Sequence, residues 1–341
     1  MSRIYILLFS LLLSTSAVLF AQDKDKPRNG EGIHTFLKRN NRTGTKYYNQ
    51  FLELNKGKFG KNNTLKKGIT YTLPSLSDKK QSKNRATEDI VNGTTGKNKL
   101  FGSKYENYTI KSDKLKGASF YLSSGHGGPD PGAIGNINGR IVHEDEYAYD
   151  IILRLARNLL EEGATVHIII QDDKDGIRDD TYLANSNRET CMGEVIPINQ
   201  VARLKQRSDK INSLSKKDKS KYKRAVFLHL DSRDNKQKQI DVYFYHAEKS
   251  PDGKKLSNTI RETFDSHYNT HQPNRGYSGT VSPRELYVLN NTTPVGIYAE
   301  LGNIQNAFDQ RRFLEPDNRQ ALANWMCRGF IKDYENSKKR K

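Results

Sequence analysis

Ala118-Ser119-Phe120-Tyr121-Leu122 runs into Gly125-His126-Gly127-Gly128-Pro129-Asp130-Pro131-Gly132-Ala133-Ile134-Gly135. The first five residues read as a strand, and the loop that follows frames one histidine with glycines. Glycine adopts unusual backbone angles and lets other groups come close. The loop therefore presents the His126 imidazole at the carboxyl end of a strand, where open α/β sheets place their sites. A histidine satisfied in a tight turn would leave the same trace, so further positions have to carry the argument.

Three do. Glu144 opens a helical pattern that runs to Glu162, with Ile151, Ile152, Leu155, Leu159 and Leu160 recurring at helical spacing. His229 closes the apolar run from Ala225, and Glu300 closes Val295-Gly296-Ile297-Tyr298-Ala299. Two histidines and two glutamates thus stand at element ends that a parallel sheet can gather at one edge. Catalytic zinc usually takes three protein ligands, often two imidazoles and a carboxylate, and keeps a fourth position for water. It lowers the pKa of that water to about 7, and a carboxylate that is not a ligand can take the proton and pass it on. His126, Glu144 and His229 are the candidate ligands, and Glu300 the candidate general base and acid. Each has a duller reading: a turn histidine, a helix-start carboxylate favoured by the macrodipole, a hydrogen-bonded core histidine, a glutamate paired with arginine. His143 is the rival to Glu144 as ligand, while His167 and His246 fall within strands as packed or exposed side chains.

The remaining pattern fills in the fold. Strands are expected at 118–123, 165–170, 225–230, 241–246, 285–289 and 295–300, and helices at 144–162, 199–214, 253–267 and 316–334. This alternation predicts an α/β domain with a largely parallel twisted sheet of about six strands and helices on both faces.

From residue 117 to 335 the chain resembles the zinc-dependent N-acetylmuramoyl-L-alanine amidases that cleave bacterial peptidoglycan. Gly125 to Gly135 looks like that family's first metal-ligand loop, and Glu144 like its ligand glutamate at the head of the first helix. Leu204-Lys205-Gln206-Arg207 with Asn212 looks like its next helix, and Val226-Phe227-Leu228-His229 like the strand ending in its second ligand histidine. Val242-Tyr243-Phe244-Tyr245, Asn274-Arg275-Gly276, Leu286-Tyr287-Val288-Leu289 and Pro294 to Asn303 follow in order, the last carrying the catalytic glutamate. The resemblance implies a Zn2+ cofactor and a cut between the lactyl group of N-acetylmuramic acid and L-alanine. Arg275 is a candidate for substrate carboxylates, with a structural salt bridge as the alternative.

Departures from the family pattern affect substrate fit. Ser123-Ser124 stand where the family usually has Asp-Pro, so support from that aspartate is absent or supplied otherwise. Leu230-Asp231 follow His229 in place of a small residue and asparagine. A polar, insertion-like stretch containing Cys191 lies between Ile170 and Gln200.

The rest of the chain points to export. Arg3, the apolar run from Ile4 to Leu13 and Leu19-Phe20-Ala21 have the layout of a signal peptide over residues 1–21. The competing reading is an uncleaved anchor, since Ile4 to Phe20 has 17 residues, near the low end of the 17 to 25 or so needed for a span. Any membrane contact is expected through this segment alone, and the destination is the periplasm, the cell envelope or the medium. Residues 32–74, ending in Leu65-Lys66-Lys67-Gly68-Ile69-Thr70-Tyr71-Thr72-Leu73-Pro74, resemble a divergent LysM module. That implies a β-α-α-β unit binding N-acetylglucosamine-containing chains; a generic small α+β spacer is the alternative. Residues 75–116 read as a flexible polar linker, and 336–341 as a basic tail.

The chain of 341 residues has a formal net charge of +18, which draws polyanions. The lysines are spread through linkers and termini without a recognisable binding motif, which argues against nucleic acid; export favours an acidic wall polymer. Cys191 and Cys327 cannot form a disulfide framework, and the expectation is one loop thiol and one helix-core thiol, with a single pair in an oxidising compartment as the alternative. The expected partner is peptidoglycan, through glycan strands and stem peptides, and no residue pattern names a protein activator. The competing functions are a catalytically inactive wall-binding protein and another zinc hydrolase, such as a carboxypeptidase acting on stem peptides.

Overall fold

The computed structural model describes residues 23–29, 31–42, 45–60, 63–76, 94–231, 241–272 and 274–339. The expected signal segment, residues 77–93 of the expected linker and the last two residues of the basic tail lie outside them. The chain divides into two units, Met1–Thr87 and Glu88–Lys341.

In the first unit, β1 (Lys24–Asp25), α1 (Ile33–Arg39), α2 (Thr45–Leu54) and β2 (Tyr71–Thr72) follow in β-α-α-β order, with β1 and β2 paired antiparallel. Phe36, Phe51 and Tyr71 are fully buried and pack ring against ring at centroid separations of 5.6 to 6.1 Å. Asn55 ties α2 to β2, its amide donating to the Thr72 carbonyl at 2.7 Å and its carbonyl accepting from the Thr72 amide at 2.8 Å. The first strand lies upstream of residue 32, because a two-residue strand carries no periodicity to read.

The second unit begins earlier than its sequence suggests. β3 (Thr95–Lys97) and β4 (Asn107–Thr109) pair antiparallel around a 3-10 turn, Lys99–Phe101, capped by the Asn98 side chain. Phe101 and Leu115 are fully buried in the main core. Residues 94–116 are therefore structured, and the linker reading fails for them: a few apolar side chains in a polar stretch suffice when a neighbouring core supplies the other half of the contact.

The central sheet has the order β14-β13-β15-β12-β5-β8, from Gly279–Pro283, Val242–His246, Val295–Glu300, Tyr222–His229, Ala118–Ser124 and Thr165–Ile168 respectively. β15, β12, β5 and β8 are mutually parallel, whereas β13 runs antiparallel to β15. Alternate residues feed two cores. Phe120, Leu122, Val226 and Ile297 face α3 (Glu144–Glu161), α5 (Pro251–His271) and α8 (Pro316–Lys338). Tyr121, Ala225 and Phe227 belong to the other core, with Ile211 of α4 (Gln200–Lys217) and Val288 of α6 (Tyr287–Asn290). The remaining elements are the hairpin β6 (Ile134–Ile137) and β7 (Arg140–His143), the small sheet β9 (Ile170–Gln171), β10 (Thr190–Cys191) and β11 (Glu194–Val195), and α7 (Gln310–Leu314). No helix among the described residues is long and apolar enough to cross a membrane.

The expected strand at 285–289 is instead the helical turn α6, and the edge strand beside β13 is β14. A short apolar run has no period that separates strand from helix. Gly279 and Pro283 argue against a central strand, but at an edge a proline costs no ladder bond. Cys191 and Cys327 are both buried, free thiols in different cores.

Candidate metal centre

His126, Glu144 and His229 meet at the carboxyl edge of the sheet, each offering a ligand atom within 4.8 Å of the others. His126 comes from the glycine loop after β5, Glu144 from the first residue of α3, and His229 from the last residue of β12. Parallel pairing sets His229 directly beside Glu300 at the end of β15.

Glycine makes the approach possible. A Cβ on Gly125 would lie 1.9 Å from His229 Cε1, and one on Gly132, whose φ is +69°, would lie 2.6 Å from Glu144 Oε2. Side chains cannot occupy either place without displacing a candidate ligand.

Glu144 is fully buried. Its Oε2 accepts from the Ala133 amide at 2.8 Å, and its Oε1 accepts from the Leu230 amide at 2.9 Å and lies 3.1 Å from His229 Nδ1. Burial works against the charged form, but the His229 hydrogen bond and the charges of His126 and His229 outweigh it and hold the carboxyl down at about 2. His126 points Nε2 at Glu144 Oε2, 3.5 Å away, and Nδ1 at Asp130 Oδ2, 2.8 Å away. Burial opposes its charge, yet the Asp130 hydrogen bond and the charges of Glu144 and Asp130 raise it above the usual histidine value. Burial lowers His229, whose ring stacks on Tyr298 at 4.2 Å and 15°. Burial, then the charges of Asp231 and Glu144, push the Glu300 carboxyl well above its usual range. Its Oε2 accepts from the Asp231 amide at 2.9 Å.

The donor set suits a divalent cation. Two imidazole nitrogens and a carboxylate anchored by two backbone amides converge on one point, each ligand oriented by a neighbour, as metal sites require. A cation there would also offset the repulsion between Glu144 and the carboxyls of Asp231 and Glu300.

A cavity of about 340 Å3 opens onto these groups, with His126, Arg207, His229, Tyr245, Tyr298 and Glu300 among its lining residues. Arg275 does not line it. Its guanidinium is held by Asp241, at 3.0 and 2.5 Å, which is the salt-bridge alternative. His143, His167 and His246 take no part in the cluster.

Several contributors were not singled out from sequence. Asp130 orients His126 from 2.8 Å and is itself held by Arg203 at 2.6 Å. Its position four residues after His126 was a usable signal. Glu189, in the insertion, accepts from the Gly128 amide at 2.8 Å and so pins the glycine loop. Arg207 is buried, donates to the Gly125 carbonyl and has Nε and Nη2 without partners; burial lowers it to about 10.

Comparison with known proteins follows the same residues. The family described as N-acetylmuramoyl-L-alanine amidase matches residues 121–332. The germination-specific N-acetylmuramoyl-L-alanine amidase of Bacillus subtilis is 24% identical over 221 residues, 64% of this chain and 80% of that protein. The probable cell wall amidase LytH of Staphylococcus aureus is 27% identical over 223 residues, 65% of this chain and 60% of that one. Among solved structures, the amidase AmiC2 of Nostoc punctiforme matches 65% of this chain and 99% of its own, at 18% identity and a TM-score of 0.45. The CwlD amidase of Clostridioides difficile, solved in complex with the GerS lipoprotein, matches 64% and 98%, at 21% and 0.47.

Proposed function

The chain belongs to the N-acetylmuramoyl-L-alanine amidase family and is a peptidoglycan amidase, and from that premise we propose that the reaction runs at His126, Glu144, His229 and Glu300 with zinc. The observation that carries this is the convergence of the three ligand atoms within 4.8 Å, with Glu300 beside His229 across the ladder. When bound by those three residues, zinc would polarise the scissile carbonyl and acidify water.

The chain's own groups supply the rest. Glu144, at the head of α3 and held by the Ala133 and Leu230 amides, fixes the ligand geometry before substrate arrives. Asp130 keeps the His126 Nδ1 proton and so leaves Nε2 free as a donor of electrons. Glu300, set beside His229 at the end of β15, takes a proton from the attacking water on its carboxylate and delivers it to the departing amide nitrogen.

The protein acts on the cell wall. We place it there by export through residues 1–21, with residues 32–74 as a LysM-type glycan anchor; the β-α-α-β order that these residues complete with β1, Lys24–Asp25, supports the second assignment. Glu300→Gln tests the mechanism: it should keep about one zinc per chain and lose about 10²- to 10⁴-fold in rate. Undiminished hydrolysis in that variant, or full zinc in both His126→Ala and His229→Ala, would overturn the assignment.

A further inference from the structure

A second cavity, of about 280 Å3, is bounded by Tyr268, Arg275, Phe308, Arg311, Arg312 and Trp325. None of the candidate metal ligands lines it, yet it belongs to the same edge of the sheet. Asp241 precedes β13, whose Tyr243 pairs with Glu300 across the antiparallel ladder. Arg312 donates to the Asp241 carbonyl and, at 3.4 Å, to the carbonyl of Leu301, the residue after Glu300.

Its charges do not balance. Arg275 and Arg312 both bind Asp241, and Arg312 also lies 3.4 Å from Asp309. Two guanidiniums therefore face two carboxylates. Arg311 is exposed and forms no ion pair among the described residues, which leaves one cation over.

Its walls are aromatic. The Arg275 guanidinium lies 4.7 Å from the Tyr268 ring centroid and 5.5 Å from that of Phe308. Phe308 is 48% exposed, so an apolar face is held open to solvent beside the cavity. Trp325 is half-buried and stacks on His267 at 5.4 Å, and Gln272 and Asn318 add amides at the lining. A planar guanidinium fork beside apolar faces matches a carboxylate on a compact body.

Resting on the amidase reading above, we propose that this cavity binds a free carboxylate of the peptidoglycan stem peptide. In the intact substrate the lactyl carboxyl of muramic acid is consumed in the amide bond, so the free carboxylates are those of the peptide. A contact at Arg311 would hold the peptide side of the substrate against the same sheet edge that carries Glu300.

Trp325 is the only tryptophan in the chain, so intrinsic tryptophan fluorescence reports on this cavity alone. The full-length protein is titrated with the dipeptide L-alanyl-γ-D-glutamate and, in parallel, with its diamide, which keeps the alanyl amino group but lacks both carboxylates, and with N-acetylglucosamine trisaccharide. The dipeptide should produce a saturable change. The diamide and the trisaccharide should not. Arg311→Ala, checked for unchanged thermal unfolding, should weaken dipeptide binding at least about tenfold, and Arg311→Lys should fall between. The proposal is overturned by an unresponsive Trp325 in the wild type, by a diamide that binds as well as the dipeptide, or by wild-type affinity in Arg311→Ala. The dipeptide lacks the lactyl amide, so this result is independent of hydrolysis. Absence of sacculus cleavage would instead overturn the amidase reading.

Discussion

Gly125→Ala should disable the metal centre with little harm to the fold. The added Cβ would stand 1.9 Å from His229 Cε1 and 2.0 Å from Nε2, so the ring must retreat by about 1.5 Å to reach ordinary contact at 3.4 Å. The ring is not free to do so, being stacked on Tyr298 at 4.2 Å and placed 3.1 Å from Glu144 Oε1. Metal ligands tolerate errors of about 0.2 Å, and a misplacement of about 1 Å near reacting groups costs about 10²-fold in rate. Overpacking typically costs about 1 to 3 kcal/mol in stability. The expected result is zinc content well below one per chain after dialysis, sacculus hydrolysis reduced at least about 100-fold, and cooperative unfolding retained. Gly32→Ala, where the new methyl meets nothing within 4 Å, is the control. Wild-type zinc content and rate in Gly125→Ala would refute the claim that this close approach positions a ligand.

Asp130→Asn should weaken zinc binding about 10- to 100-fold by freeing the His126 ring; isothermal titration with zinc checks it, and an unchanged affinity counts against a positioning role. Burial pushes the thiol of Cys191 up to about 11 and that of Cys327 up to about 12. Both should therefore resist iodoacetamide at pH 8 in the native protein and react in guanidinium, as read by intact mass. Asp333→Ala removes the partner of Arg224, 2.7 Å away, and of the Tyr222 hydroxyl, also 2.7 Å away. Leaving that buried arginine unpaired should cost about 3 to 5 kcal/mol, seen as a lowered Tm in calorimetry.

The residues that pointed to chemistry in the sequence were those at element ends. His126, Glu144, His229 and Glu300 were legible because each closes or opens a run whose period is clear, and a parallel sheet brings such ends together. Glu189 was less so: its role depends on a contact across 61 residues, which no local pattern encodes, whereas Asp130 stands only four residues after His126. The same reason explains α6 and β14, where apolar runs and turn residues gave opposite signals to the fold that packing chose. Residues 94–116 looked unstructured because their apolar anchors, Phe101 and Leu115, are few and complete a core built mostly by α3 and the sheet.

Mass spectrometry of the products released from purified peptidoglycan by the zinc-loaded protein tests the central claim most directly. Stem peptides with a free L-alanine amino terminus, alongside intact glycan chains, are the predicted products. New reducing sugar ends, or stems shortened from the carboxyl terminus, would contradict it.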